Sequence, residues 1–267
     1  MLRPTDRVSD ANAPVMTAQE REGVKKYFIA ERGYWRPWVQ TMLEHSPGFV
    51  QQYASYAGYP ARTGPLSERM VELIYVALDS SSSHLFVSGL QTHLKRALEV
   101  GASQADVFDV LHLVAIQGLA SVCQAADILA ECDELDECEV ADATQGEVDS
   151  ALKDRLQKAA NDHGLDLQAL ARMDPGYAAA VLDFMEGGRP AGPGLADSER
   201  SLIQLALHAC FTAFNPEATR RMVLAARSQG VSRPEMLQAI QLGAHLAVHG
   251  TALGTTTFQE LTQAAST

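Results

Sequence analysis

Apolar positions along the chain recur at the helical period. Met70, Leu73, Ile74 and Ala77 share one face of a 3.6-residue helix, as do Val107, Leu111 and Val114. No run holds the two-residue alternation of a half-buried strand, so the pattern predicts an all-α fold. Polar punctuation sets the helix ends. Thr17 with Glu20 three residues on is a capping box that opens a helix running to about Ala30. A second helix is expected from about Trp35 to Glu44, before Ser46-Pro47, where proline disfavours helical backbone at the residue it follows.

The same punctuation occurs twice. Sliding the chain by 129 residues aligns Leu66 through Asp127 with Leu195 through Thr256 without a gap, and ten of the 62 pairs are identical. These identities sit at structurally meaningful places. Leu73, Ile74, Ala77 and Leu78 answer Leu202, Ile203, Ala206 and Leu207, and Gly101 and Ser103 answer Gly230 and Ser232. Each copy closes a helix with glycine and restarts with a capping box, Ser103 to Asp106 and Ser232 to Glu235. Upstream, SPGF at 46–49 answers DPGY at 174–177, so each repeat reaches back through a further helix. The expected organisation is a tail at 1–16, a first repeat at 17–130, an acidic linker at 131–146 and a second repeat at 147–267. GGRPAGPGLAD at 187–197 is a loop inside the second copy. Duplicated helical units of this kind pack about a pseudo-twofold axis, leaving a cleft where sites gather.

Composition narrows the function. The 267 residues carry 21 Lys plus Arg against 33 Asp plus Glu, a net charge of −12, which argues against nucleic acid as a partner. The N-terminal segment has no apolar core like that of a signal peptide, and no stretch reads as the roughly 20 apolar residues of a bilayer span. No membrane association is expected, and a cytoplasmic location is. Cys123, Cys132, Cys138 and Cys210 show no C-x-x-C spacing and read as free thiols. No G-x-G-x-x-G follows a predicted strand, so a nucleotide site is unsupported.

The stretch LSERMVELIYVALD, followed by HLFVSGLQTHLKRALEVGASQADVFDVLHL, resembles the core motif of the carboxymuconolactone decarboxylase and alkylhydroperoxidase-D superfamily. Glu72, His93, Ala97, Leu98 and Gly101 occupy the matching positions. The resemblance covers about 60 residues of the first copy, is weaker in the second, and implies two tandem helical repeats of the alkylhydroperoxidase-D type. The peroxidase branch requires cysteines four and seven residues before the histidine, where this chain has Gly89 and Phe86. The decarboxylase branch is therefore implied, with a small carboxylated lactone or keto acid from aromatic catabolism as substrate, no cofactor, and a homotrimer of pseudo-hexameric arrangement.

Such a reaction needs a general acid, donors for a developing oxyanion and a cation to orient carboxylates. His93 is the candidate proton donor, because an unperturbed histidine titrates near neutrality and this one holds the family's position. His84 lies nine residues upstream, beyond Ser80 to Ser83, where a loop could return it toward His93. Glu72 is the candidate for orienting the histidine. The second copy has Ser201, Ala213 and Met222 at the answering positions and cannot run the same reaction, but Arg220 and Arg221 could reach the cleft and bind a substrate carboxylate. His245 and His249 stand four apart on the last long helix. With no Glu between them and no third ligand, they are candidates for lining the cleft rather than for holding a metal. The alternatives are a non-catalytic helical scaffold or small-molecule binder and, third, a thiol-dependent antioxidant enzyme relying on Cys123 or Cys210.

Overall fold

The structure, a computed structural model, describes residues 16–135 and 148–264. The tail expected at 1–16, apart from Met16, and the linker from residue 136 onward, with Cys138, lie outside the described residues. Among the described residues there are fourteen α-helices and no strand. They form two compact units.

The smaller unit is drawn from Met1–Gly58 and Val248–Thr267. It holds α1 (Ala18–Arg32), α2 (Pro37–His45), the first part of α3 (Pro47–Thr63) and α14 (Val248–Ala264). The Thr17–Glu20 capping box forms as the sequence predicts. Phe28 is fully buried, edge-on to Tyr34 and Trp35, and Val39, Val50 and Ala54 close the core around it. From α14, Val248 and Ala252 complete this core, and Thr41 on α2 donates to Gln259 at 3.1 Å.

The larger unit, Tyr59–Ala247, contains the repeated helices. In chain order these are α4 (Glu68–Ser80), α5 (Val87–Glu99), α6 (Gln104–Ile116), α7 (Leu119–Leu135), α8 (Ser150–His163), α9 (Gln168–Met173), α10 (Pro175–Gly187), α11 (Asp197–Ala209), α12 (Pro216–Ser228) and α13 (Arg233–Leu242). A short 3-10 turn, Ala244–Ala247, follows. α4 with α5 and α6 repeats as α11 with α12 and α13. The two central helices, α4 and α11, pack on each other, and each also meets the other copy's third helix.

Three contacts express the duplication. Leu66 N–H donates to Gln238 at 2.7 Å, and Leu195 N–H, one repeat on, donates to Asp109 at 3.1 Å. Both partners of the second bond lie 129 residues from those of the first. Ser83 Oγ bonds Thr212 Oγ1 at 3.2 Å, and Thr212 is the counterpart of Ser83. A residue can touch its own counterpart only near the axis relating the copies, so the pseudo-twofold axis passes through these loops.

α4 is nearly all core: Met70, Leu73, Ile74 and Ala77 are buried as their spacing predicts, together with Val71, Tyr75, Val76 and Leu78. Both repeat glycines adopt left-handed backbone, φ 97° at Gly101 and 82° at Gly230, and both following capping boxes form. Three expectations need correction. On α6 the face of Val107, Leu111 and Val114 is only half-buried, and the buried face is Asp106, Asp109, Val110, Leu113 and Ile116. α6 lies between α4 and α11, and Asp109 is drawn inward to pair with buried Arg200. The linker expected from Glu131 begins later, because α7 continues to Leu135. Finally, Gln104–Cys132 is long and apolar enough, by length and composition alone, to cross a membrane. It comprises α6 and most of α7, is interrupted at Gln117-Gly118, and packs through α6 on α4 and α11 and through α7 on α9.

Candidate active site

The candidate residues of the first copy converge at the C-terminal half of α4. Glu72, Tyr75 and Asp79 fall at i, i+3 and i+7, which places them on one face. α5 packs along this face and presents His93. Its Nδ1 lies 2.7 Å from Oε2 of Glu72, so the long sequence separation closes into a direct hydrogen bond in which the ionised carboxylate accepts and the ring donates. The Tyr75 ring lies against His93, centroids 4.5 Å apart, and meets His245 edge-on at 5.3 Å. His93 and Glu72 keep 20% and 14% of their side-chain surface exposed, so solvent reaches the pair.

His84 arrives by way of the serine loop. α4 ends at Ser80, His84 and Leu85 N–H groups donate back to the Ser81 carbonyl, and Phe86 N–H donates to the Asp79 carbonyl. Ser81 Oγ is anchored on Gln117 at 2.8 Å. To make this return Leu85 takes φ 48°, a conformation most non-glycine residues avoid, and strain of this kind persists where surrounding contacts over-determine it. His84 is thereby turned toward the interior, where burial lowers its pKa.

Between the histidines stands a residue that the sequence reading missed. Asp79 is fully buried, with Oδ1 3.7 Å from Nε2 of His84 and Oδ2 4.0 Å from Nε2 of His93. A Cβ at Gly89 would come within 2.1 Å of Asp79 Oδ2 and 2.5 Å of the Phe86 ring, so the carboxylate fills the space a side chain there would need. A signal was present: Asp79 is an acid inside an apolar run, two helical turns from Glu72. Tyr75 carried a weaker one, being on the same face.

The two arginine candidates are not gathered here. Arg220 is largely exposed and pairs loosely with Glu217 at 3.7 Å. Arg221 is engaged by Glu217 at 3.0 Å and Asp166 at 3.6 Å, beside a small cavity also lined by Cys123 and Asp127. Both arginines are committed to local acids, which a helical reading of one strand of sequence could not foresee. His245 and His249 do not share one long helix. His245 is buried in the 3-10 turn against Tyr75, whereas His249 stands in the first turn of α14. Gly243, packed on Cys210 at the end of α13, marks the break, and a 3-10 turn rotates residues four apart onto different faces. The two thiols considered as nucleophiles, Cys123 and Cys210, are both buried. Cys123 is buried and its thiol is pushed up to about 12, chiefly by burial, with Asp127 and Asp166 adding to the effect. Cys210 is buried beside Thr212.

Residues 47–131 match the model of the carboxymuconolactone decarboxylase family. Over 92% of this chain and 98% of its own, a crystal structure from Burkholderia xenovorans LB400, provisionally named a gamma-carboxymuconolactone decarboxylase subunit, superposes with a TM-score of 0.80 at 20% identity. That likeness shows a shared fold. No curated protein matches the chain.

Proposed function

We propose, for a chain whose residues 47–131 match the model of the carboxymuconolactone decarboxylase family, that the function is cofactor-independent decarboxylation or isomerisation of a small carboxylated lactone or keto acid of aromatic catabolism. The observation that carries this reading is the 2.7 Å pair of Glu72 and His93 in a partly open setting on the matched segment.

In the decarboxylation, the bond between the substrate carbon and its carboxylate breaks and carbon dioxide leaves. The electron pair left behind moves through the conjugated system toward the lactone or keto carbonyl, and a proton must then reach carbon. Glu72 accepts from Nδ1 of His93, which orients the ring and leaves Nε2 as the edge that delivers the proton. Tyr75, tilted against the same ring, packs on its face. With Arg220 and Arg221 paired elsewhere, His84 and His93 are the groups proposed to face the substrate carboxylate. An isomerisation would keep the carboxylate, and a proton would have to leave one substrate carbon as His93 delivers one to another.

The deciding experiment is carbon dioxide release from a panel of lactone and keto acids, wild type against His93→Ala. Loss of release in the variant is expected, and equal rates would remove the assignment. We further propose a homotrimer in the cytoplasm. Exposed Phe108 and Phe184 flank an apolar groove of about 600 Å³, which supports association, and the free thiols fit a reducing compartment. Sedimentation as a monomer at micromolar concentration would refute the assembly.

A further inference from the structure

Fully buried Asp79 faces the Nε2 edges of two histidines that reach it from different elements, His93 from α5 and His84 from the loop after α4. A carboxylate taken out of water is costly unless cationic or hydrogen-bonding groups compensate it, so its place within the apolar run of α4 calls for a role. The separations of 3.7 and 4.0 Å exceed a hydrogen bond but leave strong electrostatic coupling in an interior of low dielectric. Three further observations show that the arrangement is built. Gly89 leaves the carboxylate its volume, since a Cβ there would lie 2.1 Å from Oδ2. Leu85 takes a left-handed backbone in the loop that brings His84 in. Phe86 N–H ties that loop to the Asp79 carbonyl.

We propose that Asp79 is the positioning residue of this site, a buried two-oxygen counter-charge that turns the Nε2 edges of both His84 and His93 toward it and keeps a proton on each. An ionised carboxylate has acceptor capacity on both oxygens and no donor, so it suits two N–H edges at once. An asparagine of the same shape has one acceptor and one donor. It can serve only one Nε2–H and leaves Nε2 of the other ring unprotonated. Groups packed around the pair include Glu72 and Tyr75 from α4, Phe86 from the loop and His245 from the 3-10 turn, which meets Tyr75. Glu72 engages Nδ1 of His93, leaving its Nε2 edge to Asp79.

The inference rests on the lyase reading for its kinetic consequence but not for its structural one, and the test separates them. The ¹⁵N ring resonances of His84 and His93 are recorded at neutral pH in wild type, Asp79→Asn and Gly89→Ala. Carbon dioxide release is measured on the same samples. Expected are protonated-type Nε2 signals for both histidines in wild type, and a switch of at least one to the unprotonated type in Asp79→Asn. A fall in kcat of about tenfold or more with little change in KM should accompany the switch, as for other groups that fix a histidine tautomer. Gly89→Ala, whose new methyl must displace the carboxylate, should move the same signals while gaining helix propensity. Unprotonated Nε2 on both rings of wild type would overturn the proposal, a result that needs no variant to fold. Unchanged ¹⁵N signals in both variants would overturn it too. The expected tautomers in a protein that releases no carbon dioxide from any acid tested would uphold Asp79 and sink the lyase reading.

Discussion

On the face of α4, the first copy carries Glu72, Tyr75 and Asp79, with His93 opposite on α5. One repeat later α11 carries Ser201, Gln204 and His208, with Met222 opposite on α12. The helices and caps correspond, yet the first face is ionisable and partly open while Ser201 and Met222 are fully buried. His208, the counterpart of Asp79, is buried and held neutral, its pKa lowered to about 4 by burial. Gln204, in the place of Tyr75, bonds His163 at 3.1 Å. The second copy fills with packing the volume that stays partly open in the first. What the comparison teaches is that the apolar positions and caps of a duplicated frame can persist while the polar positions on this one face diverge without loss of the fold.

Substitution at matched positions is the strongest way to break this contrast. His93→Ala should lower kcat by ~10²–10⁴-fold, the range for loss of a general acid, while leaving the folded protein nearly as stable. Met222→Ala should leave turnover of the folded protein unchanged and cost roughly 2–5 kcal/mol, because it empties a fully buried site. Carbon dioxide release and urea unfolding on the same pair of variants test both halves. Similar effects at the two positions would erase the distinction.

Next in size is the buried ion pair of Arg200 and Asp109, which joins α11 of one copy to α6 of the other. Burial lowers Arg200 to about 10, so it remains charged at neutral pH. Asp109→Ala strands that charge and should cost ~3–5 kcal/mol in urea unfolding. Arg69→Ala, which removes the more exposed bridge to Asp106 at 2.9 Å and Glu199 at 2.6 Å, should cost only about 1 kcal/mol. A smaller kinetic effect is expected from Glu72→Gln, which keeps the shape and loses the charge: kcat should fall about 10- to 100-fold without a change in unfolding midpoint.

The gentlest probe is pH. His208 and His163 both have folded pKa values lowered to about 4 by burial, below the ordinary value near 6.5. Between those limits the unfolded chain binds more protons than the folded one, so stability is fully present above about 6.5 and drains away as pH falls toward 4. Urea midpoints should decline across that window. His208→Gln should flatten the decline, whereas a slope unchanged in the variant would show that burial there does not govern titration.

The sequence by itself determined the helical class, the duplication and most helix ends, because these depend on local periodicity and on side chains that cap their own backbone. Thr17–Glu20, Ser103–Asp106 and Ser232–Glu235 all form from neighbours three residues apart. Glu72, His84 and His93 were legible as residues, though their meeting was not. Tertiary packing alone decided that Asp79 is buried between two histidines, that Gly89 clears room for it and that Arg221 turns to Asp166. It also decided that the last helix breaks before His249. Each of these depends on what a side chain meets across the interior, which periodicity does not encode. A capping box is written within one turn of chain, whereas a buried carboxylate is placed by helices distant in sequence.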